Sequence, residues 1–162
     1  MPYRGPALLE SSHQIVEFRS DVVALDIWLR TRALANQSLG TSRTWVVTDT
    51  ETDEVVGYYA SSTASVLRAI VPNALRRNQP EEMPAVLLGR MAVDHRHQGR
   101  GLGSSMLKHL FLKVQEISAV VGVRLILVHA KSEDARAFYE HFGFESSPQD
   151  RLTLVRRNHF VD

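Results

Sequence analysis

The sequence predicts an α/β fold in which helices flank a mixed central β-sheet. Two patterns carry the prediction. The first half of the chain is rich in β-forming runs, and in the second half apolar strands alternate with amphipathic helices. The chain has 162 residues, which is enough for one hydrophobic core, so we expect a single domain over residues 1–162.

Helical and β-rich segments follow one another in the first half. Apolar residues recur at helical spacing over residues 22–36, which predicts a helix there. Residues 43–49 and 55–66 are β-rich and enclose a polar turn, which indicates a hairpin. The proline-rich stretch 67–84 reads as a connection with at most a short helix.

The second half begins with its most apolar run, residues 86–93, which we expect to be the central strand of the sheet. A long helix is predicted over residues 102–121, ended by Gly122. The remaining predicted elements are a strand at 123–130, a helix from the N-cap Ser132 to about His141, and a last β region that includes residues 152–156.

Composition excludes several chemistries. The chain contains no cysteine, so it has no disulfide, no cysteine metal site and no cysteine acyl-enzyme, which favours direct transfer of any acyl group. No apolar run reaches the length of a membrane span and the N-terminus lacks a secretory apolar core, so we expect a cytoplasmic protein without a membrane partner.

The charges are segregated although the net charge is only +1. Residues 27–48 and 55–80 contain arginines and no acidic residue. The surface can therefore have a basic face although the net charge of the chain is close to zero. The alternative is that these arginines lie in solvated loops.

The glycine-rich segment Gln98–Gly103 joins the predicted central strand to the long helix. Such a turn places unpaired backbone N–H groups at a helix N-terminus, where they bind the phosphates of a nucleotide cofactor. No Lys-Ser/Thr follows Gly103, which argues against a P-loop, and the G-x-G-x-G spacing departs from the Rossmann fingerprint. A tight turn without a ligand is the remaining alternative.

Two motifs in this order resemble those of the GNAT N-acetyltransferase superfamily. Gln98, Gly101 and Gly103 match its Gln/Arg-x-x-Gly-x-Gly/Ala acyl-CoA loop, and residues 135–144 resemble its A-x-x-F-Y-x-x-x-G-F ending. The resemblance implies a GNAT-like fold that uses acetyl-CoA and needs no metal. Many relatives carry Asn in place of Ser132. The resemblance assigns the following residues to the cofactor: Met91, Ala92, Val93, Gln98, Gly99, Arg100, Gly101, Leu102, Gly103, Ser104, Ser132 and Phe138.

Several further segments resemble the GNAT toxins of bacterial type II toxin–antitoxin pairs. They are Leu25-Asp-x-Trp-Leu29, Asn36-Gln37, Thr41-Ser-Arg-Thr44, Leu75-Arg-Arg77, Leu88-Gly-Arg-x-Ala-Val-Asp94 and Val128-His-Ala130. This similarity implies a toxin that acetylates the α-amine of aminoacyl-tRNA and blocks translation. It also implies homodimerisation, a ribbon-helix-helix antitoxin partner, and contact with operator DNA only through that antitoxin.

Other activities fit the same residues. One alternative is an N-acetyltransferase for a small amine, a peptide or a protein N-terminus. The other is a non-catalytic module that binds acyl-CoA.

The catalytic assignments centre on Tyr139. The family assigns the corresponding tyrosine the role of general acid, which gives a proton to the leaving thiolate. A phenol can do this because it is protonated at neutral pH. The alternative is that Tyr139 only packs with other aromatic residues. The amide near Val93 is expected to stabilise the oxyanion. An α-amine is partly neutral near pH 7, so no dedicated base is required, and His129 is either a proton relay or structural.

Three arginines are expected to contact tRNA phosphates, namely Arg76, Arg77 and Arg90. Arg90 shares a strand face with apolar residues, so a structural ion pair is its alternative role. We interpret His95 and His97 as exposed loop histidines and not as metal ligands.

Overall fold

The structure, a computed structural model, describes residues 2–159. It contains two compact units, each made of two separate stretches of chain. The first unit consists of the chain up to Ser62 together with Gly89–Leu110, and the second of Thr63–Leu88 together with the chain from Phe111. The assignment of residues 1–162 to a single domain stays a prediction.

Residues 2–159 form seven strands and five α-helices. The strands are β1 (Tyr3–Leu8), β2 (Arg43–Asp49), β3 (Val55–Leu67), β4 (Glu82–Val93), β5 (Leu125–His129), β6 (Glu145–Ser147) and β7 (Asp150–Arg157). The helices are α1 (Val23–Thr31), α2 (Ala33–Ser38), α3 (Asn73–Arg76), α4 (Leu102–Ser118) and α5 (Glu133–His141), with short 3-10 turns at Arg68–Ile70 and His95–His97. None of the helices in residues 2–159 is both long and apolar enough to cross a membrane.

The strands form one sheet in the order β1-β2-β3-β4-β5-β7-β6, which confirms the α/β class and the mixed sheet. β2 and β3 pair antiparallel, as the predicted hairpin requires, and β4 and β5 pair parallel. β4 is the fourth of the seven strands in this order, so the prediction of a central strand is also confirmed. It begins at Glu82 instead of residue 86.

The core of the first unit lies under α1. Leu25, Trp28 and Leu29 pack in one buried cluster with residues of β2 and β3. The Tyr58 ring stacks on Trp28, and its hydroxyl donates to the Leu25 carbonyl at 2.7 Å. This hydrogen bond offsets the cost of burying the hydroxyl in the aromatic core.

The core of the second unit is aliphatic. Met83 and Ala85 of β4 pack with Leu125 and Leu127 of β5 and with Val155 of β7. All five side chains are buried. Their burial fixes the register of the strands that precede and follow α5.

Three elements differ from what the sequence predicts. β1 was not predicted, because Gly5 and Pro6 interrupt any strand pattern. The helix over 22–36 is broken at Arg32, which has φ −124°. The Thr31 hydroxyl donates to the Ile27 carbonyl at 2.7 Å just before the break, a contact that bends helices.

The long helix ends at Ser118 and not at residue 121. Val120 is 84% exposed and Val121 is 56% exposed, so these residues do not continue the buried stripe. The Asn158 side chain donates to the Ser118 hydroxyl at 2.6 Å, at the last residue of the helix. The longer helix was predicted only because Val120 and Val121 are apolar.

Candidate active site

The glycine loop lies in the first unit and leads into α4. Gly99 has φ +76° and Gly101 has φ +80°, a conformation that residues with a Cβ rarely adopt. A Cβ at either glycine would meet no atom within 4 Å, so the space next to the loop is open. α4 begins at Leu102 and is 17 residues long, so its free N-terminal N–H groups adjoin that space. The loop therefore fits an anionic group such as a pyrophosphate.

Asp94 fixes the chain as it enters this loop. Its buried carboxylate accepts hydrogen bonds from the backbone N–H groups of Arg19 and Arg96 and from two guanidinium N–H groups of Arg96. Burial alone would raise the pKa of Asp94, but the hydrogen bonds from Arg96 and Arg19 lower it to about 2. The carboxylate stays charged and holds the turn in place.

The end of β4 extends beyond its parallel neighbour. The ladder between β4 and β5 runs from Ala85↔Leu125 to Leu88↔Val128, whereas β4 continues to Val93. Ala92 is buried, and Met91 and Val93 are half-buried. This stretch of strand leads directly to the loop that begins at Gln98.

Arg90 lies on the same strand, and its guanidinium carbon is 4.3 Å from the centre of the Trp28 ring. A cation over a tryptophan face is stabilised by the ring quadrupole. The aromatic core thus explains how a cation is accommodated among apolar neighbours. The alternative role expected for Arg90 was a structural ion pair, and the structure shows a contact with an aromatic ring.

In the second unit, α5 carries Tyr139. The helix begins as predicted: the Ser132 hydroxyl accepts a hydrogen bond from the Ala135 N–H at 3.1 Å. Tyr139 is 8% exposed, and burial raises its pKa to about 12. Its ring packs edge-on against Phe138 and Phe144.

The Tyr139 hydroxyl is chemically available. No residue within 2–159 hydrogen-bonds to it, although buried tyrosine hydroxyls usually have a partner. Its raised pKa keeps it protonated at neutral pH. The arrangement suits a proton donor to a bound ligand.

Arg76 and Arg77 also lie in the second unit, at a cavity of about 590 Å³ next to α3. The cavity is lined by Arg68, Ala69, Asn73, Arg76, Arg77, Asn78 and Glu81. Arg68 lies 3.8 Å from the Glu81 carboxylate, and the Arg76 guanidinium donates to the Ala69 carbonyl. The arginines of the stretch 55–80, which has no acidic residue, therefore line a basic cavity: Arg76, Arg77 and also Arg68.

The candidate residues are therefore divided between the units. The first unit brings together Arg90, Met91–Val93 and Gln98–Ser104. The second contains Tyr139, Phe138, Ser132 and the two arginines of α3 and its end.

The two loop histidines differ. The His95 side chain is 54% exposed, as predicted. The His97 side chain is only 12% exposed, so its prediction as an exposed residue is wrong. Its Nδ1 atom lies 2.7 Å from the Tyr3 hydroxyl, a contact that sequence reasoning missed because β1 was not recognised. Among residues 2–159, no cluster of histidine and acidic residues forms a metal site.

His129 is exposed at the end of β5, and its Nδ1 atom lies 3.1 Å from the Thr153 hydroxyl. That hydroxyl donates in turn to the Asp150 carboxylate at 2.8 Å. Hydrogen bonds from Thr153 and Leu152 hold the pKa of Asp150 below its usual range. His129 is thus part of a polar chain on the surface of the second unit.

Comparisons with known proteins indicate an acetyltransferase family. Residues 40–146 match the family model described as acetyltransferase (GNAT) domain. A "tRNA-acetylating toxin" from Mycobacterium tuberculosis is 43% identical over 153 residues, which cover 94% of this chain and 91% of that protein.

Solved structures of the toxin AtaT have a similar fold. AtaT complexed with acetyl-methionyl-tRNAfMet is 25% identical, with a TM-score of 0.86, and the match covers 93% of this chain and 92% of that chain. A tyrosine-to-phenylalanine mutant of AtaT, bound to the C-terminus of the antitoxin AtaR and to acetyl-CoA, matches with a TM-score of 0.78 at 23% identity. That second match covers 94% of this chain and 91% of the other.

Proposed function

Because the chain belongs to the GNAT acetyltransferase family, we propose that it transfers an acetyl group from acetyl-CoA to the α-amine of aminoacyl-tRNA. A toxin with this activity blocks translation, because an acetylated α-amine no longer acts as a nucleophile. The observation that carries the proposal is the 43% identity to a tRNA-acetylating toxin over 94% of the chain.

The loop Gln98–Ser104 is the proposed pyrophosphate site. Acetyl-CoA supplies an activated acetyl thioester. The open space beside Gly99 and Gly101 lets phosphate oxygens approach the backbone, and the first N–H groups of α4 supply donors. Any larger residue at either glycine would occupy that space and strain the backbone.

Met91–Val93 are proposed to position the acyl-pantetheine arm. β4 extends past the ladder with β5, so backbone groups there can pair with the amides of the arm. An N–H near Val93 then stabilises the negative charge that develops on the carbonyl oxygen. Loss of one such donor typically costs about 2.7–4 kcal/mol of transition-state stabilisation.

Tyr139 is the proposed general acid. Its hydroxyl proton passes to the sulfur as the C–S bond breaks and the C–N bond forms, and the proton that the acylated nitrogen releases returns through solvent to the Tyr139 oxygen. The unpartnered hydroxyl, which is protonated at neutral pH, supports this role. The attacking α-amine, with an ordinary pKa of about 7.7–8.0, needs no dedicated base, so we assign none to His129.

Arg76 and Arg77 are proposed to contact tRNA phosphates at their basic cavity. Arg90 is proposed to do so as well, although its contact with Trp28 leaves it less free to reach a ligand. Ser132 and Phe138 are retained as neighbours of the cofactor.

The proposed partners follow from the toxin resemblance. They are a ribbon-helix-helix antitoxin, operator DNA through that antitoxin only, and a second copy of the chain. The polar C-terminal segment, residues 156–160, is a proposed surface for the antitoxin; Arg156 and Arg157 belong to β7, and Phe160 lies outside the described residues. We propose that the reaction takes place in the cytoplasm, where charged tRNA is available.

A transfer assay with labelled acetyl-CoA tests the proposal. Wild-type protein and the Tyr139→Phe variant are each given aminoacyl-tRNA, uncharged tRNA and a panel of free amines and peptides. We expect label only on the amino acid of charged tRNA, and a large loss of turnover in the variant without loss of stability. Label on free amines or peptides would refute the tRNA substrate, and acetyl-CoA binding without transfer to any acceptor would indicate a non-catalytic module.

Tyr58→Phe provides a matched control. It also removes one buried tyrosine hydroxyl, but one that is hydrogen-bonded to a backbone carbonyl. We expect it to cost about 1–2 kcal/mol of stability and to leave turnover unchanged. Full turnover by Tyr139→Phe would refute the acid role and leave the substrate assignment intact.

A further inference from the structure

The structure contains a hydrogen-bonded chain that ends on the glycine loop. The Arg100 Nη1 group donates to the Tyr3 hydroxyl oxygen at 3.0 Å. That hydroxyl also lies 2.7 Å from Nδ1 of His97. We infer that Tyr3 and His97 are positioning residues, which hold the Arg100 guanidinium ready for the phosphates of acetyl-CoA. The inference rests on the proposed function, in which this loop binds the pyrophosphate.

One hydrogen bond in this chain has a fixed direction. A guanidinium is only a donor, so the Tyr3 oxygen accepts from Arg100. The phenolic hydrogen remains available for donation to Nδ1 of His97. In that arrangement the ring proton of a neutral His97 lies on Nε2, which is 3.8 Å from the Asp49 carboxylate.

The sheet brings these groups together. Tyr3 of β1 is directly opposite Asp49 of β2 in the antiparallel ladder. The Tyr3 and His97 rings meet edge-on, with centroids 5.5 Å apart. Pro2, the residue before Tyr3, accepts hydrogen bonds through its carbonyl from Thr50. Tyr3 is therefore held on both sides.

Arg100 needs such support because of its position. It lies between two glycines of positive φ and is itself exposed. A free arginine side chain samples many rotamers, and ordering it on binding reduces affinity. An anchor at one N–H group orders the side chain in advance and leaves its other N–H groups for an anion.

Tyr3→Phe removes the hydroxyl and keeps the ring that packs against His97. Loss of one exposed hydrogen bond of ordinary net strength predicts about 2- to 10-fold weaker binding of CoA and a similar rise in KM for acetyl-CoA. The kcat value is expected to stay unchanged, because Arg100 does not meet the reacting atoms. Binding is measured by calorimetry with CoA as the probe.

Arg4→Gln is the matched control. Arg4 is the next residue of β1 and forms an ion pair with Asp53 at 2.7 Å, so its loss reports on general weakening of the strand. We expect no change in CoA affinity for this variant. An equal loss in Arg4→Gln and Tyr3→Phe would overturn the inference, because strand fraying would then be the cause.

The double variant isolates the route through Arg100. If Tyr3 acts by orienting that guanidinium, Tyr3→Phe has no further effect on affinity in an Arg100→Gln background. Additive losses would overturn the inference. If the wild type binds CoA and Tyr3→Phe binds it equally well, the inference about Tyr3 is overturned and the proposed function stands. If the wild type does not bind CoA, the proposed function is overturned as well.

Discussion

Replacement of Asp94 by Asn is expected to destabilise the protein and to make its free energy of unfolding less dependent on pH in acid. The Asp94 carboxylate accepts four hydrogen bonds, two of them from the guanidinium of Arg96. An amide at this position carries no charge, and its NH2 group would face other donors. The variant therefore loses the charge-assisted contacts at the entrance of the glycine loop.

The magnitude follows from the pKa of the carboxyl. Its fall from an ordinary 3.8 to about 2 corresponds to about 2.4 kcal/mol at 1.36 kcal/mol per pH unit. The Arg96 side chain is 46% exposed and is therefore screened by water, so we expect about 1.5–2 kcal/mol. For a chain of this length, that loss lowers Tm by about 3–8 °C.

The pH dependence has a definite sign. Because the folded pKa lies below the unfolded one, the stabilisation is complete above about pH 4 and is lost as the pH falls toward 2. Wild-type protein should therefore lose more stability than Asp94→Asn across this window. Urea unfolding followed by tryptophan fluorescence, at a series of pH values, measures both quantities.

The control is Asp53→Asn. The Asp53 side chain is 65% exposed and pairs with Arg4, so its loss should cost less than about 0.5 kcal/mol. The reasoning is refuted if Asp94→Asn is no less stable than this control, or if its stability falls with acid as steeply as that of the wild type.

Two other perturbations test the loop and the basic cavity. Gly101→Ala should cost about 1 kcal/mol through its positive φ and weaken CoA binding, measured by thermal unfolding and calorimetry, whereas Gly122→Ala, without that φ, should be neutral or slightly stabilising. Equal effects of both would contradict the backbone argument. Arg76→Gln and Arg77→Gln should each weaken use of tRNA and reduce its salt dependence, relative to Arg136→Gln, whose guanidinium is already paired with two glutamates. An unchanged salt dependence would count against the phosphate contacts.

Local patterns predicted the elements around the candidate site well. The glycine loop, the start of α4 and the cap of α5 follow from spacing and from residue types that occupy neighbouring positions. Such signals depend on contacts within a few residues, so one sequence is enough to read them.

Contacts between distant residues could not be predicted in this way. Tyr3 and His97 are 94 positions apart, and nothing in the pattern near His97 indicates a partner in an unrecognised strand. The contact of Arg90 with Trp28 is similar: alternation placed a cation on an apolar face, but only the packing of α1 on the sheet supplies the ring. The missing information is the pairing of elements, which local periodicity does not contain.

The order of the two units along the chain limits how such a protein can be altered by recombination. Each unit is made of two separate stretches of chain. The chain passes from one unit to the other after Ser62, after Leu88 and after Leu110. A single crossover therefore cannot exchange one unit and leave the other whole. A chimera of two related chains with one junction would therefore build at least one unit from both parents.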